Sequence, residues 1–275
     1  ILNRNPKDVV DACISEVNGK RMKTLAPWIE EFKGTFTRDL ENPKTWKISG
    51  SYQIINTNTV KITAIPPNYT YERYEEILNL LQEKGIITSY DDNSSETIEY
   101  VLKFKRSILK DLISKDRLER ALRLNTQETE NLTTIDENGE LKIFNKAEEI
   151  VKHFVSVRLG WYQTRKDYLI NKTEKQLALV TNKAKFIKDI IDGKLKINNV
   201  PKDKIIAYLK TNDYDTVHGS YDYLLSMAIH SLTKERYEKL LQEKEGCIIA
   251  LKTLKATDPK EMYLTDLKKL KAAIK

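Results

Sequence analysis

Cysteine, histidine and glycine are all scarce in this chain of 275 residues, and each scarcity removes a class of function. The two cysteines, Cys13 and Cys247, stand far apart and give neither a disulfide framework nor metal-ligand spacing; reduced thiols are the expected state. His153, His218 and His230 likewise lack the spacing of a metal site, so structural roles are expected of them. Nine glycines include no G-x-x-x-x-G-K or G-x-G-x-x-G loop, which argues against nucleotide hydrolysis within this chain. No run reaches the eighteen or so apolar residues of a membrane span, and no signal-peptide pattern is visible, so a cytoplasmic protein without membrane contact is expected.

Complete catalytic constellations are also missing. A tyrosine nucleophile needs a neighbouring cation, and only Arg73-Tyr74 and Arg236-Tyr237 supply that dipeptide. Both tyrosines fall on the apolar stripe of an expected helix, so packing is the better reading. Asp213-Tyr214-Asp215 is the sole D-x-D, and no apolar strand precedes it as a metal-binding acidic motif requires. No serine or cysteine has an arguable base. We therefore expect no catalytic residue and no metal ligand here.

What is present is charge, and long helices. Net charge is +7, weak evidence for a polyanionic partner. It is concentrated between residues 101 and 123, where Lys103, Lys105, Arg106, Lys110, Lys115, Arg117, Arg120 and Arg123 face only Asp111, Asp116 and Glu119. Such a strip is either a solvated helical face or a phosphate-contact surface. Residues 146–192 contain no proline and one glycine, with Ile150, Phe154, Val157, Trp161, Tyr168, Leu177, Val180, Ala184 and Ile187 at helical spacing. As one helix this run would be roughly 70 Å long. A second stripe through Tyr237, Leu240, Lys244, Cys247, Leu251 and Leu254 suggests an antiparallel coiled-coil arm with a small knob between its legs.

Before the arm the period alternates. Asn5-Pro6 opens a short helix over 7–17. Residues 46–55 and 59–65 read as strands flanking an Asn56-Thr57-Asn58 turn, 70–84 as a helix, 86–90 and 97–104 as strands, and 136–139 as a hairpin turn. The class is α+β: a mixed domain over 21–145, then the arm. Within the knob, residues 221–230 form an apolar cluster that is either a small core or a partner-binding face.

Several segments resemble one family in collinear order. Leu25-Ala26-Pro27-Trp28, Phe32-Lys33-Gly34-Thr35 and the run 49–66 look like the tower domain of eukaryotic-type type IIA DNA topoisomerases. Residues 154–162 with Arg165-Lys166 resemble the start of that family's coiled coil. Tyr221-Asp222-Tyr223-Leu224-Leu225-Ser226-Met227, leading into 231–237, resembles its dimer-gate motif, with Ser226 where glycine is usual. Asparagine- and lysine-rich brevity points further to the medium subunit of a bacteriophage (T-even type) enzyme.

The resemblance implies a breakage-rejoining fragment, since the chain begins at Ile1 rather than methionine. Residues 1–20 would end a winged-helix region, 21–145 form the tower, 146–192 and 233–256 the arm, 193–232 the dimer gate and 257–275 a final helix. Ile1 would wedge between base pairs four residues before Asn5-Pro6, with Leu2 where the family has proline. Lys103, Lys105, Arg106, Lys110, Arg117, Arg120 and Arg123 would hold double-stranded DNA. Tyr221, Tyr223, Leu224, Leu225, Met227, Ile229 and Leu232 would close a two-fold homodimer gate. Mg2+, ATP, the ATPase and the TOPRIM domain would belong to other subunits of the whole enzyme. The rival reading is a non-catalytic coiled-coil dimerisation scaffold with incidental nucleic-acid affinity.

Overall fold

The structure is a computed structural model and describes residues 1–274, with the side chain of Ile229 outside the description. The chain forms two compact units: Ile1–Val157 with the chain from Leu267 onward, and Arg158–Asp266. The helices are α1 (Pro6–Val17), α2 (Tyr71–Glu83), α3 (Arg106–Ser114), α4 (Leu118–Ala121), α5 (Ala147–Ile191), α6 (Lys202–Thr211), α7 (Asp222–Leu225), α8 (Lys234–Ala256) and α9 (Pro259–Ala273). The strands are β1 (Thr35–Arg38), β2 (Thr45–Ser49), β3 (Ser51–Asn56), β4 (Thr59–Ala64), β5 (Ser89–Asp92), β6 (Tyr100–Lys103), β7 (Asn125–Thr129), β8 (Thr133–Ile135) and β9 (Leu141–Ile143).

In the first unit α1 starts as its sequence requires. Asn5 Oδ1 accepts the Lys7 N–H at 2.9 Å, and Pro6 fills the first helical position, where no N–H partner is needed. Three antiparallel sheets follow, ordered β1-β2-β7, β3-β4-β6-β5 and β8-β9. The periodicity joins residues 46–55 into one strand, but the chain breaks at Gly50 into β2 and β3, which belong to different sheets. The cause is a close backbone approach. The Gly50 N–H donates to the Leu124 carbonyl at 2.9 Å, and a Cβ there would collide with the Ala64 carbonyl oxygen.

The four-stranded sheet carries the main core. Val60, Ile62 and Ala64 alternate inward along β4, and Tyr74, Leu78 and Leu81 of α2 join Val60 and Ile62 in one core. Thr70 Oγ1 caps α2 by accepting the Arg73 N–H, and Gly85 ends it at φ +67°. Each fully buried Leu or Ile contributes about 1.5–3 kcal/mol. The strands expected at 86–90 and 97–104 become β5 and β6: the first starts three residues later and runs on through Asp91 and Asp92, which pair with Val101 and Tyr100, and the second is confined to four residues. Strands β1 and β7 add an unexpected sheet. Helices α3 and α4 occupy the basic stretch and send Leu109 and Leu118 into the same core.

In the second unit, α6 and α7 close a small core of Phe186, Leu195, Ile205, Leu209, Tyr214, Tyr221 and Leu224. Asp189 is buried beside it and accepts from the hydroxyls of Tyr208 at 3.1 Å and Tyr214 at 2.7 Å. Burial and this carboxylate push the Tyr214 hydroxyl far above its ordinary pKa. Helix α8 meets α5 through Val180, Ala184, Ile187 and Leu240. Farther along, Lys255 pairs with Glu174 at 2.8 Å and its carbonyl accepts from Lys166 Nζ, so the two helices run antiparallel where they touch.

The apolar stripe on α5 differs from the expected one. Trp161 and Tyr168 are 62% and 64% exposed, and Phe154 is exposed too, whereas Val151, Val155 and Tyr162 are buried. For Tyr162 the reason is α9, which reaches it from the far end of the sequence. The Tyr162 and Tyr263 rings lie 4.8 Å apart, and the Tyr162 hydroxyl donates to Asp266 at 2.8 Å. Ile248 and Ile249 on α8 are exposed as well, so the contacts between α5 and α8 fall short of a continuous coiled-coil seam.

Candidate nucleic-acid interface

The N-terminal segment is held by a buried carboxylate 126 to 128 residues away in sequence. Glu130 stands just past β7, fixed by its own N–H to the Lys44 carbonyl at 2.8 Å. Its oxygens accept from the Leu2 N–H at 2.8 Å, the Arg4 guanidinium at 2.7 Å and the Trp46 indole N–H at 2.8 Å. Arg4 also donates to the carbonyls of Leu25 and Leu2, and the Trp28 N–H donates to the Asn3 carbonyl. The Arg4 and Glu130 side chains are only 7% and 2% exposed. Burial alone would raise the Glu130 carboxyl, but the Arg4, Leu2 and Trp46 donors outweigh it and hold its pKa below the usual range.

A second carboxylate continues the network. Glu148, in the first turn of α5, accepts from the Leu25 N–H at 2.8 Å and from Arg38 Nη2 at 3.1 Å. The Arg38 guanidinium lies 4.8 Å from the Trp46 ring centroid and that of Arg4 lies 5.6 Å from it. Residues 2–4 are thus rigidly seated, and Ile1, one residue beyond, is 62% exposed.

The basic strip is entirely at the surface: Lys103, Lys105, Arg106, Lys110, Lys115, Arg117, Arg120 and Arg123 are all exposed. Lys103 pairs with Asp91 at 3.1 Å and Lys115 with Asp111 at 2.6 Å. The other six make no ion pair with the described residues. Positive φ at Asp116 and Arg123 marks the tight turns that flank α4. Six cations without an internal counter-charge can neutralise phosphates without breaking any structural ion pair.

Comparison with known proteins gives this surface a context. The profile of the DNA gyrase/topoisomerase IV A-subunit matches residues 1–271. The chain belongs to the A-subunit family of DNA gyrase and topoisomerase IV. A solved structure of the Plasmodium falciparum topoisomerase II DNA-binding, cleavage and re-ligation domain superposes with TM-score 0.81 at 30% identity, covering 99% of this chain and 41% of that one. DNA topoisomerase 2 of Plasmodium falciparum is 30% identical over 314 residues, covering 100% of the chain and 22% of the relative. DNA topoisomerase 2 of Candida albicans is 27% identical over 326 residues, with 96% and 22% covered. The chain thus spans about a fifth of these relatives' length. The type IIA likeness holds. Attribution to a bacteriophage medium subunit gains no support, because the relatives are eukaryotic enzymes.

Within this gyrase/topoisomerase IV family member, the gate residues expected from sequence divide. Tyr221 and Leu224 are buried in their own unit's core, while Tyr223, Leu225, Met227 and Leu232 are half-buried at its margin. Ile229 falls in a 3-10 turn, and its side chain lies outside the described residues. His153 Nε2 donates to the Glu137 carboxylate at 2.9 Å, in a structural contact. Among the described residues no group of three or more His, Cys, Asp or Glu could hold a metal ion. No helix there is long and apolar enough to cross a membrane. Sequence reasoning misses the roles of Arg4, Trp46, Glu130 and Glu148, because no local pattern links residues so far apart in the chain.

Proposed function

We propose that the chain is part of the DNA cleavage-rejoining core of an ATP-dependent type IIA topoisomerase, where it binds and bends a duplex and helps to close a dimer gate. The observation that carries this reading is the likeness along the whole chain to a structure described as a DNA-binding, cleavage and re-ligation domain. In this reading Ile1 is the exposed wedge between base pairs and Glu130 is its anchor. Residues Lys103, Lys105, Arg106, Lys110, Arg117, Arg120 and Arg123 supply the backbone contacts. Helices α5 and α8 form the two antiparallel legs of the arm, and the half-buried Tyr223, Leu225, Met227 and Leu232 meet a second copy across a two-fold axis.

The segments 1–20, 21–145, 193–232 and 257–275 then serve as linker helix, tower, gate and closing helix, with ATP and Mg2+ handled by other parts of the enzyme or by other subunits in the cytoplasm. The test is anisotropy of a dye-labelled duplex titrated with the chain at several salt concentrations. Binding whose logarithm falls linearly with log salt, at about 0.9 per phosphate contact, supports the reading. Affinity no better than that of a charge-matched basic protein would return the chain to the scaffold reading. For the gate, Leu225→Glu removes an apolar contact without entering the core, and sedimentation should then show monomers where the parent chain dimerises.

A further inference from the structure

Beside the basic strip lies a groove that phosphate contacts do not account for. It has a volume of about 650 Å3 and runs between β3 and α3. Ile54, Leu109 and Ile113 line its apolar part, and Arg106 and Lys110 stand along it. The spacing explains the arrangement: residues 106, 109, 110 and 113 share one face of α3. Leu109 is committed to the core at 1% exposed, but Ile54 and Ile113 are left 47% and 44% exposed. Neither Arg106 nor Lys110 has an ion-pair partner among the described residues. β3 is also the edge strand of its sheet, pairing only with β4, so its outer backbone is open.

We infer that this groove is a docking site for an acidic polypeptide segment that carries apolar side chains. Charge complementarity selects the sign, because the two cations facing the groove lack internal carboxylates. The apolar lining selects the class. A duplex presents phosphates and sugars, which satisfy Arg106 and Lys110 but leave Ile54 and Ile113 uncovered. A peptide alternating acidic and apolar residues covers both at once, and an extended chain suits the open edge of β3. Because Arg106 and Lys110 also belong to the strip assigned to DNA, the peptide and the duplex compete, and an acidic segment bound here lowers DNA affinity. The docking site goes beyond the topoisomerase reading and does not depend on it; the competition with duplex rests on that reading.

The experiment uses the full 275-residue chain and a dye-labelled peptide alternating aspartate with leucine, against a control alternating aspartate with serine. The leucine peptide should bind and the serine peptide should bind about tenfold more weakly or not at all. The neutral double variant Ile54→Ser, Ile113→Ser should lose about tenfold in leucine-peptide affinity while duplex affinity stays within about twofold, since no charge changes. Both isoleucines are exposed, so the fold should survive, and an unchanged melting curve verifies it. Lys110→Ala should weaken peptide and duplex alike. Equal binding of the two peptides, or full leucine-peptide affinity in the double variant, overturns the proposal. A chain that binds the leucine peptide through these residues but ignores duplex DNA upholds it and overturns the DNA reading instead.

Discussion

Glu130→Ala is the most informative single perturbation of the first unit. The carboxylate meets three donors, Arg4, the Leu2 N–H and the Trp46 indole, at 2.7 to 2.8 Å. Its removal leaves the Arg4 guanidinium with its Leu25 and Leu2 carbonyl bonds but no counter-charge, in a side chain only 7% exposed. Breaking a buried pair by deleting one partner costs about 3–5 kcal/mol. These surviving bonds, with a longer one to the Asn3 carbonyl at 3.3 Å, place this case at the lower end, about 3 kcal/mol, with the unpaired indole adding about 1 kcal/mol. Glu130→Gln keeps an acceptor oxygen and should cost about 1–2 kcal/mol. Urea denaturation of the three proteins reads these values as shifts in midpoint at constant slope. If Glu130→Ala falls within about 0.5 kcal/mol of the parent, the buried-clamp argument is wrong.

The same carboxylate makes a pH prediction. Its folded pKa is depressed below the ordinary glutamate value of 4.5, so the folded state binds its proton less readily than the unfolded state does. The clamp's contribution is therefore complete at pH values above that ordinary value. It is lost as pH falls through the lowered folded value. Melting temperature measured from pH 7 downward should drop more steeply for the parent than for Glu130→Gln, with the two curves converging in acid. Parallel curves would show that the carboxylate is not preferentially ionised in the fold.

The remaining predictions concern the chain crossing and the second unit. Gly50→Ala should destabilise the first unit by about 2–4 kcal/mol, because the clash is with the Ala64 backbone rather than a movable side chain; a neutral result in thermal melting would refute the close approach. Asp189→Ala should cost about 2–3 kcal/mol by leaving the Tyr208 and Tyr214 hydroxyls without their acceptor, and Tyr208→Phe in that background should recover part of the loss, measured by a double-mutant cycle. Leu224→Glu should unfold the second unit where Leu225→Glu should not, as circular dichroism would report; equal damage from both would mean that the margin is core as well.

The outcomes divide according to how local the determining physics is. Helix α1 is legible because its cap, Asn5, its Pro6 start and its apolar face lie within a dozen residues. The turn at Asp136 is legible for the same reason: its carboxylate bonds the N–H groups of Asn138 and Glu140 a few positions on. The aromatic stripe on α5 misleads because two stripes share helical spacing there. The choice between Trp161 and Tyr162 is made by Tyr263 and Asp266, about a hundred residues later. Gly50 shows the same limit, since its neighbours in the sequence all favour a strand and only the distant Ala64 carbonyl forbids a side chain. The basic strip can be seen as charge but not as geometry. Its cations are exposed and mostly unpaired, facts that depend on where α3 and α4 place the nearby acids. The Glu130 clamp lies furthest from view, because a lone glutamate after a strand carries no sign of an arginine 126 positions earlier. A buried ion pair is costly unless several donors converge on it, so such a clamp survives only where backbone, indole and guanidinium all reach one carboxylate. That convergence holds residues 2–4 in place and leaves Ile1 exposed just beyond them.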